Sequence, residues 1–208
     1  MRTIIVMWGI LLAGVGTLAS QETIVQNVQN TYKDIDNAVI TYEQISEFPV
    51  TRREQTFEGI VYMKRPNYYR IESEQQTVVT DGTTIWSYNP FTDQVIIDLY
   101  QEDEQMFTPD RFLLNIPDEF YVSVGDRETV EGQSLIMLRL VPKDEHQFVR
   151  SMRLWVDDNR WIVRKAEVID LNDNKNTYLV RDIQLNEGVE EELFSYQPPE
   201  NVEIIDLR

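Results

Sequence analysis

From Val39 onward the chain is a succession of short segments rich in β-branched and aromatic residues, separated by turn residues. Such segments favour strands, and short connections favour antiparallel pairing between them. Asp81-Gly82 is a strong signal for a tight hairpin, and Asp157–Asn159 and Asn172–Asn174 supply further turns. The predicted strands are 41–48, 57–63, 68–74, 77–80, 84–88, 94–100, 121–124, 134–141, 151–156, 161–170 and 177–185.

A sheet of ten to eleven antiparallel strands cannot stay flat, so it must curl, and its concave side must be covered. Runs such as Val95-Ile96-Ile97 and Leu135-Ile136-Met137-Leu138 put apolar side chains on both faces, more than a sheet with one solvated face needs. Either an ordinary core under the helices or an apolar cavity would explain this surplus. Periodicity alone leaves both explanations open.

Two helices are available as cover. A short one is predicted over 110–116, since Thr108-Pro109 suits its cap and first turn and Pro117 suits its end. A long one is predicted over 23–37, with Thr23 as its cap. Its apolar residues recur at helical spacing on one face: Ile24, Val25, Val28, Tyr32 and Ile35.

The first 20 residues have the layout of a secretory signal peptide. Arg2 precedes an apolar run from Ile4 to Leu12, and small residues approach Ala19. The run is too short to favour a membrane anchor. The chain has no cysteine, so neither a disulfide nor lipid attachment at the cleavage site is possible. We expect a signal peptide at 1–20 and one domain at 21–208 in an extracytoplasmic space.

The domain that remains after cleavage is strongly acidic. Of the 19 basic residues only Arg2 lies in the signal peptide, so 18 basic residues accompany 36 acidic ones, a formal net charge of −18. Long-range repulsion of phosphate groups argues against a nucleic-acid binder and against a polybasic protein of membrane surfaces. The remaining 188 residues are enough for one domain with a buried core and rather short for two.

Catalytic and metal-binding motifs are absent from the sequence. The single histidine, His146, lies in an acidic, turn-like stretch, and neither a nucleophile elbow nor a cysteine accompanies it. Asp170–Asn174 resembles the start of a calcium loop, but Lys175 stands in the place of the turn glycine and Arg181 in that of the bidentate glutamate. We therefore expect neither an enzyme nor a metal site.

Lys64-Arg65-Pro66 is the most distinctive charged element. Proline keeps the preceding residue out of helical geometry and marks the end or edge of a strand, which fixes the direction of the Arg65 guanidinium at the rim of the sheet. This group can bond several carbonyls at once, or it can be a solvated charge beside a turn. The nearby strands are rich in aromatic groups with a polar tip, which suit a core edge or a pocket mouth: Tyr62, Tyr68, Tyr69, Trp86 and Tyr88.

The segments MKRPNYYR (63–70) and TDGTTIWSYNPFTDQ (80–94) resemble the signature of LolA, the family of periplasmic outer-membrane lipoprotein carriers. The resemblance continues through Thr108-Pro109 and through 193–202, which is similar to the family's closing Phe-x-x-x-Pro-Pro motif. It implies a mostly β (α+β) fold, an incomplete antiparallel β-barrel with a helical lid over an apolar cavity that receives lipoprotein acyl chains.

The resemblance also implies partners. Such a carrier, a monomer, takes its cargo from an inner-membrane lipoprotein-releasing ABC transporter, crosses the periplasm and delivers the cargo to an outer-membrane acceptor. It uses no cofactor and makes no covalent change.

By position, Arg65 aligns with the family arginine that bonds lid carbonyls and locks the empty carrier shut. Its expected partners are carbonyls around Leu113, Leu114 and Asn115, and one in the first helix is a further candidate. The residues expected to line the lipid cavity or to form the lid are Tyr62, Tyr69, Ile71, Trp86, Tyr88, Ile97, Phe112, Leu113 and Leu114.

The chain departs from the family pattern in two places. Ile71 replaces an aromatic residue often found after the MKRPNYYR segment, which affects the shape of the pocket, and the acidic run 102–104 precedes the lid helix. Two alternative functions also remain open. A periplasmic regulator that senses lipid or lipoprotein could use the same half-barrel, and a lipid-processing enzyme is the third possibility, against which the single His146 and the missing nucleophile motif argue.

Overall fold

The structure, a computed structural model, describes residues 21–101, 113–144 and 148–208. The predicted signal peptide, Phe112 and His146 lie outside these ranges. No helix in the described ranges is long and apolar enough to cross a membrane. The elements are α1 (Gln21–Lys33), β1 (Asn37–Phe48), β2 (Arg53–Lys64), β3 (Tyr68–Ser73), β4 (Thr77–Asp81), β5 (Thr84–Asn89), β6 (Gln94–Leu99), α2 (Ile116–Glu119), β7 (Phe120–Val130), β8 (Gln133–Pro142), β9 (Val149–Asp157), β10 (Ile162–Asp170), β11 (Lys175–Leu185), a 3₁₀ helix (Glu191–Phe194) and β12 (Glu203–Asp206).

The twelve strands of the described residues form one curled, unclosed sheet in the order β12-β6-β5-β4-β3-β2-β1-β11-β10-β9-β8-β7. Neighbouring strands are antiparallel, except that β12 runs parallel to β6. The predicted mostly β fold, an incomplete antiparallel barrel, is confirmed. All eleven predicted strands are present, and β12 is an additional strand that the sequence patterns did not indicate.

The pairing register divides the sheet into two faces. Ile40, Val61, Ile71 and Val78 are successive cross-strand partners on β1 to β4, so they share one face, called here the inner face. Tyr62, Arg70, Val79 and Trp86 are the adjacent row of partners on β2 to β5 and share the other, outer face. Because successive side chains alternate between the faces, this register decides what each strand contributes to the interior.

Helix α1 fills part of the inner face. Its apolar stripe of Ile24, Val25, Val28 and Tyr32 is buried, and β10 and β7 are among the strands it contacts. These side chains belong to one core cluster with inward-facing residues of the sheet: Ala38, Met63, Tyr69, Ile136, Leu138, Leu140, Met152, Leu154, Val156, Val163, Ala166 and Val168.

The helix boundaries differ from those predicted. Helix α1 begins at Gln21, so Thr23 lies inside its first turn and is not its cap, and it ends at Lys33 because β1 already begins at Asn37. Leu113 and Leu114 are helical, as predicted. Pro117 does not end a helix but lies in the first turn of α2, where proline is tolerated because the N–H that it lacks would have no helical partner.

The C-terminal segment covers the outer face. The 3₁₀ helix contacts β3 and β4, and Phe194 is only 2% exposed, with its ring edge-on to Tyr68 at 5.6 Å. The Arg70 Nη1 atom donates a hydrogen bond to the Leu193 carbonyl at 3.1 Å. The chain then adds β12 beside β6. The closing Phe-x-x-x-Pro-Pro motif therefore fastens the C-terminus to the back of the sheet.

We expect Phe194→Ala to lower the free energy of unfolding by about 3 to 5 kcal/mol, because it removes a fully buried ring and leaves a cavity. Phe91→Ala is the matched control, since Phe91 is 76% exposed at the β5–β6 hairpin and its loss should change stability by less than about 0.5 kcal/mol. Urea unfolding of both variants measures the difference. Equal stability of the two variants would show that the segment does not stabilise the sheet.

Candidate functional site

A cavity of about 670 Å³ lies on the inner face of the sheet, in the part that α1 does not fill. The lining is mostly apolar and also includes polar residues: Tyr32, Ile40, Tyr42, Gln44, Val61, Ile71, Gln76, Val78, Ile85, Ser87, Asp98, Leu99, Gln101, Leu113, Leu154, Val163, Ala166, Tyr178, Val180 and Ile183.

The cavity floor is an aliphatic row that crosses the sheet. Ile183 pairs with Ile40, Ile40 with Val61, Val61 with Ile71, and Ile71 with Val78, so five adjacent strands present branched side chains to the cavity. Branched residues are stiff at χ1 and pack well on a pleated surface. The row therefore gives a continuous apolar surface of fixed shape.

Tyr32 at the C-terminal end of α1 forms part of the wall. Its hydroxyl accepts a hydrogen bond from the Val163 backbone N–H at 3.2 Å, beside an irregularity in the pairing of β10 with β9. Buried backbone N–H groups need a partner, and this bond supplies one where the ladder is interrupted. Burial raises the pKa of Tyr32 to about 12. A neutral tyrosine thus ties the helix to the cavity wall.

The opposite side of the cavity is polar. Tyr42 and Tyr178 lie side by side, with ring centroids 6.1 Å apart and planes tilted by 54°. Burial raises the pKa of Tyr42, and burial together with the Tyr42 charge raises the pKa of Tyr178 to about 12. Gln44 is the cross-strand partner of Tyr178, and its side-chain amide donates to Ser46 Oγ at 3.0 Å. This side of the cavity therefore offers uncharged hydrogen-bonding groups.

Arg65 binds the C-terminal end of α1. Its Nη2 atom donates to the Tyr32 carbonyl at 2.7 Å and its Nη1 atom to the Lys33 carbonyl at 3.0 Å. The last carbonyls of a helix lack helical partners and carry the negative end of the helix dipole, so a guanidinium is well placed there. The Arg65 backbone N–H also donates to the Asp36 carbonyl at 2.9 Å. These bonds join the β2–β3 turn to α1.

The segment around Leu113 is joined to α1 by a different side chain. The Gln29 side-chain amide donates to the Leu114 carbonyl, and Leu113 is buried where it lines the cavity. The Lys143 ammonium donates to the Pro117 carbonyl at 2.7 Å. Leu114 therefore contacts α1, and Pro117, three residues further on, contacts Lys143 next to the end of β8.

The predicted site residues separate into groups. Ile71 and Leu113 line the cavity, whereas Tyr69 lies in the core and Leu114 packs against it. The other strand residues lie on the outer face, because strand alternation points them away from the cavity: Tyr62, Trp86, Tyr88 and Ile97. Phe112 is outside the described residues. A role in lipid binding stays a prediction for each of these residues.

Sequence reasoning did not single out Tyr42, Gln44 or Tyr178 as cavity residues. The alternation Ile40-x-Tyr42-x-Gln44 in β1 was a usable signal, because it shows one face that changes from apolar to polar along the strand. What it could not show is which face is covered.

Comparison with known proteins identifies a family. The model of the family described as outer membrane lipoprotein carrier protein LolA matches residues 33–197. The outer-membrane lipoprotein carrier protein of Histophilus somni strain 2336 is 24% identical over 212 residues, which cover 100% of this chain and 99% of that protein. The corresponding protein of Pasteurella multocida strain Pm70 is 28% identical over 153 residues, 72% of this chain and 71% of that protein.

Among solved structures, an uncharacterized conserved protein from Thermus thermophilus has the same fold. It superposes with a TM-score of 0.57 at 11% identity and covers 89% of this chain and 98% of that one.

Strong alkali should destabilise the protein through its buried tyrosines. Unfolded tyrosine loses its proton near pH 10.0, whereas folded Tyr32 and Tyr178 do so near pH 12, so the unfolded state gains stability as pH rises through this window. Below pH 10 both tyrosines are protonated in the folded and in the unfolded state, so they do not change the free energy of unfolding with pH. We expect urea unfolding to show a steeper loss of stability between these pH values for the wild type than for the Tyr32→Phe/Tyr178→Phe double variant. Equal slopes would contradict the assigned burial of these hydroxyls.

Proposed function

The chain belongs to the LolA family of outer membrane lipoprotein carrier proteins, and from this membership we propose that it carries lipoprotein acyl chains through the periplasm. The observation that supports the proposal is the cavity of about 670 Å³ with its aliphatic floor of Ile40, Val61, Ile71 and Val78. An ordinary core would have filled this space with side chains, because protein interiors pack densely.

The energetic need for such a cavity is large. Each acyl methylene hidden from water contributes about 0.8 kcal/mol, so a lipoprotein anchor with several long chains cannot cross an aqueous compartment unprotected. A cavity with an apolar floor removes this cost without changing the cargo chemically. The proposed role is therefore that of a carrier that needs no catalytic group and no cofactor.

The cavity volume also bears on how the cargo enters. A cavity of about 670 Å³ lies within the size range of pockets that hold a single small ligand. An anchor with several long acyl chains needs more room than a pocket of this size gives. We propose that the cover over the inner face, which includes Leu113 and the end of α1, moves outward when cargo is loaded.

Arg65 is the proposed lock of this cover. Its guanidinium bonds the Tyr32 and Lys33 carbonyls, and Gln29 on the same helix bonds the Leu114 carbonyl, so the arginine, α1 and the lid residues form one connected series. Each charge-assisted bond contributes roughly 1.5 to 3 kcal/mol to the closed state. Cargo that opens the cover must overcome this contribution, which keeps the affinity low enough for release.

The proposed route follows from the family. An inner-membrane lipoprotein-releasing ABC transporter supplies the cargo, and an outer-membrane acceptor receives it. The net charge of the chain, −17 in full, disfavours contact with anionic head groups and suits a protein that moves between membranes without adhering to them.

A loading experiment tests the proposal directly. Mature protein, residues 21–208, is incubated with a synthetic triacylated lipopeptide, separated from free lipid and analysed by mass spectrometry, and the loaded protein is then mixed with phospholipid vesicles. We expect intact lipopeptide to bind and then to pass to the vesicles. Recovery of hydrolysed lipid would indicate an enzyme, and tight binding without any transfer would favour the lipid-sensing regulator.

Replacing Arg65 with leucine should separate loading from release. The variant loses the bonds that favour the closed state, so the loaded protein becomes more stable relative to the empty protein. We expect normal loading but at least about tenfold slower transfer to vesicles, a factor equivalent to about 1.4 kcal/mol. Arg53→Leu is the matched control, because Arg53 is exposed at the far end of β2. Normal transfer by a folded Arg65→Leu protein would remove the lock from the proposal.

A further inference from the structure

The polar side of the cavity does not shelter hydrocarbon, so it needs an explanation of its own. The inference drawn from it rests on the proposed function and specifies the ligand class of the same cavity. We propose that Tyr42 forms a carbonyl-recognition subsite, in which its hydroxyl donates a hydrogen bond to the ester or amide carbonyl at the head of a bound acyl chain. The ligand class is thus an acyl ester or acyl amide rather than any hydrocarbon chain.

The first support is the order of rows on the inner face. The row Ile183, Ile40, Val61, Ile71 and Val78 is aliphatic throughout. The next row along the strands contains Tyr42 opposite Gly59, and the one after that contains Gln44 opposite Tyr178. Polarity therefore rises in one direction along β1, as it does along an acyl chain towards its carbonyl.

The second support is that the Tyr42 ring is held in place. It lies over Gly59 on β2, where an added Cβ atom would clash with the ring carbon Cζ, so only glycine leaves this space to the ring. On its other side the Tyr178 ring packs against it at 6.1 Å. A hydroxyl on a fixed ring donates a hydrogen bond at little entropic cost.

The third support is the state of the hydroxyl. Within the described parts of the chain, the Tyr42 hydroxyl makes no hydrogen bond to protein, although the residue is only partly exposed and lines the cavity. Burial raises its pKa, so it remains a neutral donor in the physiological range. By contrast, the nearby Gln44 amide already donates to Ser46 and Asn176, at 3.0 and 3.3 Å. On this side of the cavity, Tyr42 is thus a donor that remains available to a ligand.

This subsite sets the orientation of the bound lipid. With its carbonyl at Tyr42, the acyl chain extends across the aliphatic row towards Tyr32 and Leu113. The head of the molecule, and any protein attached to it, then lies on the side of Gln44 and Gln76.

Two lipids that differ only in the carbonyl provide the test. Dissociation constants are measured for a dipalmitoyl ester of glycerol and for the dihexadecyl ether with the same chain length, on the wild type and on Tyr42→Phe. We expect the ratio of the ether constant to the ester constant to fall by about 3- to 10-fold in the variant, because one hydrogen bond is lost for the ester alone. Tyr62→Phe, on the outer face, should keep the wild-type ratio.

Each contrary result has a distinct meaning. An unchanged ratio in a folded Tyr42→Phe protein, or an equal fall in Tyr62→Phe, would overturn the carbonyl subsite and leave the carrier function intact. Failure of the wild type to bind either lipid would overturn the proposed function itself. Because phenylalanine keeps the ring over Gly59, the comparison tests the hydroxyl and not the packing.

Discussion

The inner face depends on the register of β1 with its neighbours β2 and β11. That register aligns Ile183, Ile40 and Val61 across three strands, and the row continues through Ile71 and Val78 to make the cavity floor. A slip by one residue would exchange the two faces of a strand and bring Tyr62 or Arg70 into the interior. The hydrogen-bond ladder of the sheet therefore determines the chemistry of the cavity as much as its shape.

Helix α1 divides this inner face into a filled part and an empty part. Its apolar stripe completes the core over β7 to β10, and its last turn stops at the cavity, where Tyr32 bonds Val163 and Arg65 bonds the terminal carbonyls. The same helix thus belongs to the core along its apolar stripe and, through Tyr32, also forms part of the cavity wall.

Most of the fold could be predicted from sequence, because strand patterns and turn residues are local signals. The face on which each side chain lies could not, since it follows from the long-range pairing register of the strands. This explains why Trp86 and Tyr88 were expected in the cavity and lie outside it. Strand β12 was also missed, because four residues that pair with a distant parallel strand leave no local pattern.

The C-terminal segment behind the sheet has a mechanical consequence. Phe194 and Arg70 fasten the tail behind β3 and β4, which are two of the five strands of the cavity floor, and β12 extends the sheet beyond β6. These two strands are therefore packed on both faces, and densely packed elements resist deformation. Among proteins of this fold, we expect the size of the cavity to vary through the elements that cover it, α1 and the segment around Leu113, more than through its floor.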